Sequence, residues 1–429
     1  MNSDADKAQT RGLAKATGES PGELVRKYFA AFSGDGARVF IQLAYFYLVA
    51  NTLSLAEFGL FATASSTGIV LSRIAAFGFI SPLYRIATVK PQLIGVYSAG
   101  YAAALAASLP IIALIGAAVY MMLFAGEMSI GAFALIATTE ILFWRSLEVV
   151  ITINKGLERF GRASLVIVFG FSMKAFAALI LAAASDGSLD SWATIYFWTQ
   201  AIMIAIAALV FYPRRRWRFR PALYRRRIGD ALSVSGADVL FYAQSELDKL
   251  VVLAAGGPTA AGVYAIIMRL VDLTAMPVRT FSTLLTQRLM RRPDLLGSFA
   301  TRAVMEIGVI AVSTAAIGAM VVVFWIKPDI LGENVEEAAV LLWLVLLVPA
   351  FRNLIEYQSE LLYGRGQTFV RMVNYAILGV LKATLLFAIL SGSTDPRDWL
   401  ILANPVFGAL YAVSFLLTYR AMRRPPIRV

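Results

Sequence analysis

Apolar runs of about 20 residues recur along the whole 429-residue chain, and this recurrence constrains the fold more than any other feature. Hydrophobic residues make up 59% of the sequence and charged residues only 15%, so a soluble fold could not bury the apolar surface. Runs of this length are typical of helices, whereas the strands of a membrane barrel are shorter and alternate. We predict an all-α integral membrane protein with about 12 transmembrane helices. The predicted spans are 29–52, 58–84, 93–123, 129–153, 163–184, 191–212, 231–253, 260–287, 300–326, 338–360, 372–390 and 399–419.

Positive charge between the predicted spans lies almost entirely on one side of the membrane. If the N-terminus is cytoplasmic, the cytoplasmic segments hold 27 of the 39 Lys and Arg residues, and the opposite side holds only Lys327 and Arg397. Cytoplasmic loops of membrane proteins carry such an excess of Lys and Arg. We therefore expect a multi-pass protein with both termini in the cytoplasm. The net charge of +12 is attributed to this topology and not to binding of nucleic acid.

The strongest run of positive charge, from Arg214 to Arg227, lies in the middle of the chain. We interpret it as a linker that orients two halves, although it could also hold anionic lipid headgroups or a phosphorylated substrate. The predicted organisation is a cytoplasmic N-terminal tail (1–28), an N-lobe with spans 1–6 (29–212), a basic cytoplasmic linker (213–230), a C-lobe with spans 7–12 (231–419) and a cytoplasmic C-terminal tail (420–429).

The two halves carry charged residues at matching positions. A shift of 203 residues places Asp35 on Asp238, a shift of 207 places Arg145 on Arg352, and a shift of 208 places Lys174 on Lys382. Charged matches at a nearly constant offset are uncommon in so apolar a sequence. Because each half has an even number of spans, the two lobes are expected to be pseudo-symmetric about an axis along the membrane normal.

Cations inside the predicted spans are the main candidates for a binding site. A charged side chain at the centre of a membrane helix costs about 2.5–3.5 kcal/mol on insertion scales, so it is kept for a partner or a function. Lys174 and Lys382 lie near the middle of their spans and suggest a seat for an anionic group. The alternative is that they form ion pairs between helices. The candidate substrate-binding residues are Lys174, Lys382, Arg145, Arg352, Arg73 and Arg269.

Several carboxylates could balance these cations or couple transport to an ion gradient. Glu140, Asp272 and Glu306 are possible ion-pair partners of the two lysines, while Glu148 and Glu356 share a helix face with Arg145 and Arg352. An ionisable carboxylate in a cavity can also take up H⁺ or Na⁺. Asp35 and Asp238 could alternatively cap helix N-termini. The candidate ion-coupling residues are Asp35, Asp238, Glu148 and Glu356.

Cys and His are both absent from the sequence, which excludes thiol chemistry, disulfides and imidazole ligands. We find no nucleophile beside a base, no phosphate-binding Gly loop and no metal cluster in the sequence pattern. The sequence therefore predicts a protein that is not an enzyme and that carries no cofactor and no metal.

Five short segments resemble bacterial polysaccharide flippases of the Wzx type, within the multidrug/oligosaccharidyl-lipid/polysaccharide exporter superfamily. The similarity extends over about residues 30–420 and is more specific for the superfamily than for a substrate. The segments that carry it are Ala56-Glu57-Phe58-Gly59-Leu60-Phe61, Leu247-Asp248-Lys249-Leu250, Pro258-Thr259-Ala260-Ala261-Gly262-Val263-Tyr264-Ala265, Gly156-Leu157-Glu158-Arg159-Phe160-Gly161 and Leu362-Tyr363-Gly364-Arg365-Gly366.

The resemblance implies two six-helix lobes that form a V around a central cavity and open alternately to each side of the bacterial inner membrane. It implies a lipid-linked oligosaccharide, carried on an isoprenoid pyrophosphate, as the substrate. Membrane lipids, a coupling H⁺ or Na⁺ and proteins of polysaccharide assembly are the implied partners. Two alternatives stay open: a small-molecule or multidrug ion antiporter, and a non-transporting scaffold of a polysaccharide assembly complex.

Overall fold

The computed structural model describes residues 38–184, 187–225, 227–291, 299–393 and 395–423, and within these ranges all regular structure is helical. The first half contains α1 (38–52), α2 (Leu55–Ile74), α3 (Ile80–Val89), α4 (Ile94–Leu123), α5 (Ile130–Thr138), α6 (Arg145–Gly156), α7 (Phe160–Ala184) and α8 (Leu189–Phe211). The short α9 (Pro221–Arg225) follows. The second half contains α10 (Ile228–Arg291), α11 (Phe299–Ile326), α12 (Glu333–Ala339), α13 (Val348–Gly364), α14 (Thr368–Leu390) and α15 (Pro396–Met422).

Eight of the described helices are long and apolar enough to cross a membrane, and a bent pair, Glu333–Ala339 with Leu342–Gly364, would make a ninth. One of the eight, Ala231–Ser282, has 52 residues, which at 1.5 Å per residue is about twice the length of a single membrane span. Gly257, with φ of 77°, breaks it into two arms, and we call these α10a and α10b. The predicted fold class, an all-α membrane protein, is confirmed.

Polar side chains define where several of these helices begin. At the start of α2, the hydroxyl of Ser54 accepts a hydrogen bond from the backbone N–H of Glu57. Glu57 Oε2 accepts from the backbone N–H of Ser54 in return, and this exchange is a capping box. α2 therefore begins at Leu55, three residues before the predicted start of the second span.

The same span is interrupted after Ile74, where the sequence predicts a continuous helix. Ala76 and Phe77 have positive φ values of 55° and 48°, and Gly78 has φ of 71°. A Cβ on Gly78 would lie 2.3 Å from the carbonyl oxygen of Ala231, the first residue of the long apolar segment of α10a. The close approach of the neighbouring helix therefore requires glycine at this position, in the break between α2 and α3.

The two halves touch closely at one end of the molecule through a pair of glycines. A Cβ on Gly59 would lie 2.2 Å from the carbonyl oxygen of Pro258, and a Cβ on Gly262 would lie 2.1 Å from the carbonyl oxygen of Leu55. The side chain of Asn334 donates to the carbonyl oxygens of Ala50 and Leu53 at 3.0 and 2.7 Å. We call this the closed end.

The basic linker lies at the other end of the molecule, packed on the first half. Tyr224 is buried in an aromatic cluster with Phe79 and Tyr97, and its hydroxyl donates to the carbonyl oxygen of Val96 at 2.7 Å. Six arginines of the linker are exposed: Arg214, Arg215, Arg216, Arg218, Arg220 and Arg225. The closed end and the basic end are therefore at opposite ends of the bundle.

Candidate functional site

Glu140 is the centre of a buried polar cluster in the first half. Its Oε1 accepts hydrogen bonds from the Tyr196 hydroxyl at 2.7 Å and the Ser65 hydroxyl at 3.0 Å, and it lies 3.3 Å from Lys174 Nζ. Glu140 is 4% exposed and the Lys174 side chain 13%. The first of the two predicted lysines is therefore held against a carboxylate.

Local backbone geometry places Glu140 at this position. The segment Thr139–Trp144 is a π-helix that joins α5 to α6, and such insertions are frequent at functional sites. Glu140 packs against α2 where Gly68 has no side chain, since a Cβ there would lie 2.8 Å from the Cβ of Glu140. Trp144, at the end of the π-helix, presents its ring 4.0 Å from Lys174 Nζ, a cation–π contact.

Lys382 has an equivalent environment in the second half. Its Nζ lies 3.1 Å from Asp248 Oδ2, and the same oxygen accepts a hydrogen bond from the Tyr264 hydroxyl at 3.0 Å. The two side chains are only 4% and 3% exposed. Each repeated lysine is therefore paired with one carboxylate, which in turn accepts a tyrosine hydroxyl. Sequence reasoning missed Asp248 as the partner, although Asp248 lies in one of the family-like segments.

Arg73 and Arg145 share the carboxylate of Glu148. Arg73 makes two hydrogen bonds to it, both 2.9 Å, and Arg145 Nη1 lies 2.6 Å from Oε2. The Arg73 guanidinium also stacks over the ring of Tyr242 on α10a, with its Cζ 3.9 Å from the centroid. Because Tyr242 belongs to the second half, this cluster joins the two halves.

Arg145 is the most unusual member of this cluster. Its side chain is 3% exposed, yet its Nε and Nη2 donors have no hydrogen-bond partner among the described residues. An unsatisfied buried donor costs about 1–3 kcal/mol, and more if it is charged. Arg145 therefore has two buried N–H donors without an acceptor among the described residues. The sequence identified Arg145 as a candidate but did not predict these unpaired donors.

Asp238, on α10a, lies within electrostatic range of this cluster. Arg145, Arg73 and Glu148 are the charged groups that act on it most strongly. Since α10 begins at Ile228, Asp238 lies almost three turns inside the helix and does not cap its N-terminus. Asp35, its repeat equivalent, lies outside the described residues.

The remaining predicted residues of the second half form two ion pairs near the basic end. Arg352 Nη2 lies 2.9 Å from Asp272 Oδ1, and Arg279 Nε lies 2.8 Å from Glu356 Oε1. The expected pairing of Arg352 with Glu356 along one helix face is therefore replaced by contacts from α13 to α10b. The packing of α13 against α10b places Asp272 beside Arg352, while Glu356, one turn along α13 from Arg352, pairs with Arg279.

Arg269, on α10b, faces the first half. Its charge acts on both Tyr45 and Lys174, which places it near the Glu140 cluster. No carboxylate lies within ion-pair distance of Arg269 in the part of the chain that the structure describes. Arg269 therefore differs from Arg145, which shares the carboxylate of Glu148 with Arg73.

Exposure of these ion pairs increases with distance from the closed end. Asp248 lies about 14 Å along α10a from the break at Gly257, and its pair with Lys382 is under 5% exposed. Asp272 and Arg279 lie about 22 and 33 Å along α10b, and their side chains are 30% and 48% exposed. The ion pairs of the second half therefore become more exposed toward the basic end.

Most cations of the site are matched by a carboxylate, which differs from the strongly cationic cavity that the sequence predicts. Another pair, Lys249 with Glu246 at 2.5 Å, adds to this balance, and Ser66 on α2 donates to Glu246 at 2.7 Å across the halves. The site is better described as a paired network with an excess of donors at Arg145.

No protein-family model matches this sequence, and no curated protein matches it. Solved structures do match. An inward-facing multidrug resistance MATE family transporter of the MOP superfamily is 15% identical with a TM-score of 0.63, covering 89% of this chain and 94% of that one. An outward-facing MATE family transporter is 14% identical with a TM-score of 0.52, and the match covers 93% of this chain and 95% of that one.

A third similar structure is a MOP superfamily transporter from Pyrococcus furiosus, described as having a binding pocket of reverse polarity. It is 13% identical with a TM-score of 0.56, covering 93% of this chain and 95% of that one. At these identities the similarity establishes the fold: this chain has the fold of the MOP superfamily transporters, the superfamily that the sequence segments resemble.

Proposed function

We propose that this protein is a flippase that moves an isoprenoid-pyrophosphate-linked oligosaccharide across the bacterial inner membrane by alternating access. The observation that carries the proposal is Arg145, a buried guanidinium with two donors that have no acceptor in the described residues. A planar guanidinium fork matches phosphate oxygens and binds them in pairs. A pyrophosphate group at this position would supply the missing acceptors.

The surroundings of Arg145 support the binding of an anion that enters from the basic end. Arg73 binds the same carboxylate, and the Glu148 side chain is 32% exposed. The exposed arginines of the basic linker would attract an anionic headgroup to this entrance. The isoprenoid tail would remain in the surrounding lipid while the oligosaccharide occupies the wet space between the halves.

The repeated lysines take a different part in this proposal. Lys174 and Lys382 are already paired with Glu140 and Asp248, so a phosphate can reach them only by displacing a carboxylate. We propose that Arg145, Arg73 and Arg269 make the first contacts, and that Lys174, Lys382 and Arg352 contact the substrate later in the cycle.

The structure supports one state of the proposed cycle. Gly59, Gly262 and Asn334 hold the halves together at the closed end, while exposure rises toward the basic end. The TM-score is also higher with the inward-facing MATE transporter than with the outward-facing one. Rocking of the proposed lobes (29–212 and 231–419) about this contact would reverse the openings. Asp35, Asp238, Glu148 and Glu356 remain the proposed residues for coupling to H⁺ or Na⁺.

The second candidate function is a small-molecule or multidrug ion antiporter. Two observations favour it: similar structures include multidrug resistance MATE transporters, and the cations of the site are mostly balanced by carboxylates. The reverse-polarity transporter indicates that this fold accommodates pockets of different charge. A non-transporting scaffold would bind neither an anionic lipid nor a cationic drug at this site.

Binding measurements separate these functions. The purified protein would be titrated with an isoprenoid pyrophosphate and with a lipophilic cation, and Trp144, 4.0 Å from Lys174, would report binding by fluorescence. We expect saturable binding of the pyrophosphate that weakens on the order of tenfold or more in Arg145→Gln, since a bond to a charged group contributes about 1.5–3 kcal/mol. Arg162→Gln, at an exposed position, is the matched control. Binding of the cation alone would favour the antiporter, and binding of neither would favour the scaffold.

A further inference from the structure

A second buried carboxylate cluster lies inside the second half, separate from the site described above. Glu306, on α11, is 7% exposed. Its Oε1 accepts hydrogen bonds from the Tyr419 hydroxyl at 2.7 Å and the Gln358 amide at 3.0 Å, and its Oε2 accepts from the Tyr411 hydroxyl at 2.9 Å. All three donors are neutral, so among the described residues no ion pair balances the charge of Glu306.

This arrangement contrasts with four other acids of the membrane helices. Glu140, Glu148, Asp248 and Asp272 each have a cationic nitrogen within 3.3 Å. The two tyrosines that donate to Glu306, Tyr411 and Tyr419, pack against a buried and mostly apolar cluster. Its members are Val278, Leu285, Val309, Leu354, Tyr357, Leu361 and Met422. An unbalanced carboxylate in such surroundings is costly and favours the uptake of a positive charge.

Two further oxygen atoms next to Glu306 lack partners. Gln358 has its amide nitrogen on Glu306, and its Oε1 is buried with no hydrogen-bond partner in the described residues. The hydroxyl of Tyr357, which belongs to the cluster that Tyr411 and Tyr419 pack against, is likewise buried and has no hydrogen-bond partner among the described residues. Both residues are fully buried. Buried polar atoms without partners are uncommon in native structures, and a water or an ion beside them would supply the missing contact.

We propose that Glu306, Gln358, Tyr357, Tyr411 and Tyr419 form a binding site for a sodium ion. Carboxylate, amide and hydroxyl oxygens are the ligands of hard cations. A proton would satisfy one oxygen of Glu306, whereas Na⁺ also uses the unpartnered oxygens of Gln358 and Tyr357. The other charged group that faces this cluster is Arg302, whose guanidinium lies 5.6 Å from the Tyr419 ring centroid.

The site has a place in the proposed transport cycle but does not depend on it. Glu306 lies on α11, Gln358 on α13 and Tyr419 on α15, so a bound ion would hold three helices of the second half together. Binding of Na⁺ is measurable without any cargo. The sodium site would therefore stand if the flippase proposal failed, and the flippase proposal would stand if the sodium site failed.

Thermal unfolding of the purified full-length protein tests the site. Tm would be measured at pH 8 in NaCl, KCl and choline chloride at constant ionic strength. We expect a saturable increase in Tm with Na⁺ alone, because a ligand that binds only the folded state stabilises it. Glu306→Gln should abolish the increase, while Glu337→Gln, an exposed carboxylate of the same half, should retain it. Equal increases in all three salts, or a Na⁺ response that survives in Glu306→Gln, would overturn the proposal.

Tyr357→Phe provides a test that does not depend on the folding of the Glu306 variant. Its hydroxyl has no protein partner in the described residues, so its removal should leave Tm unchanged in choline chloride. If the hydroxyl is a ligand, the apparent Kd for Na⁺ should rise on the order of tenfold. An unchanged Kd, or a Tm that responds to pH but not to Na⁺, would contradict a sodium site.

Discussion

The ammonium nitrogen of Lys174 lies 3.3 Å from the carboxylate of Glu140, a residue that precedes it by 34 positions in the chain. Glu140 is buried and the Lys174 side chain is only 13% exposed, so the pair is largely shielded from the water that would otherwise weaken it. The same relationship exists in the second half between Lys382 and Asp248. Each of the two repeated lysines is thus paired with a carboxylate, and this pair must open before the lysine can bind a substrate.

Removal of one member of the pair should destabilise the protein. We expect Lys174→Met to lower the free energy of unfolding by about 3–5 kcal/mol, because it leaves Glu140 buried without a counter-charge. Lys174→Met combined with Glu140→Gln should recover most of the loss. Unfolding in detergent would measure both, with Lys155→Met, an exposed lysine, as the control. Equal stability of the single variant and the wild type would contradict the buried pair.

Neutral versions of both pairs separate stability from transport. The variant Lys174→Met, Glu140→Gln, Lys382→Met, Asp248→Asn removes both lysines without leaving a buried charge. We expect it to insert and fold but to lose polymer export in cells, as we also expect for Lys174→Ala with Lys382→Ala. Normal export by the fourfold variant would remove the lysines as substrate contacts and leave them with a structural role.

The glycine contact at the closed end makes a prediction about conformation. Gly59→Leu places a side chain where a Cβ alone would lie 2.2 Å from a backbone carbonyl, so the two halves must separate there. Since the chain has no cysteine, spin labels at Glu127→Cys and Lys327→Cys would report the distance across this end. We expect longer distances in Gly59→Leu and no change in Gly308→Leu, which has open space around it. Identical distance distributions would show that this contact does not hold the halves together.

Ion coupling is tested at Asp238 and Glu148, which lie beside Arg145. We expect Asp238→Asn to blunt the dependence of transport on an imposed proton or sodium gradient, because the amide no longer takes up a cation. Asp329→Asn, on an exposed connection, should behave like the wild type. Transport by Asp238→Asn with full gradient dependence would exclude this residue from coupling, and Glu148→Gln would be examined in the same way.

The helices follow from the sequence because runs of about 20 apolar residues have few other stable forms in a membrane. The breaks inside them do not follow. The positive φ angles of Ala76 and Phe77 occur beside Gly78, where α10a approaches closely, and the π-helix around Glu140 carries no Pro or Gly within Thr139–Trp144. Such features arise from packing between helices and not from local preference.

The charged residues of the site were predictable, but their partners were only partly so. Arg145 and Glu148 are three residues apart on one helix, so helical spacing alone predicts their ion pair. Lys382 and Asp248 are 134 residues apart, and their contact exists only because α14 packs against α10a. Arg352 also forms its pair with Asp272 on another helix. Spacing predicts local pairs, while tertiary packing decides the others.

The central claim concerns the movement of an anionic lipid-linked sugar, and transport in reconstituted vesicles tests it most directly. Proteoliposomes would be loaded with a fluorescent isoprenoid-pyrophosphate oligosaccharide, and its passage between leaflets would be compared for the wild type, Arg145→Gln and the control Arg162→Gln. We predict that the wild type and the control move the lipid-linked sugar, and that Arg145→Gln moves it on the order of 10–100-fold more slowly. Movement of a lipophilic cation with no movement of the lipid-linked sugar, or an unchanged rate in Arg145→Gln, would contradict the account.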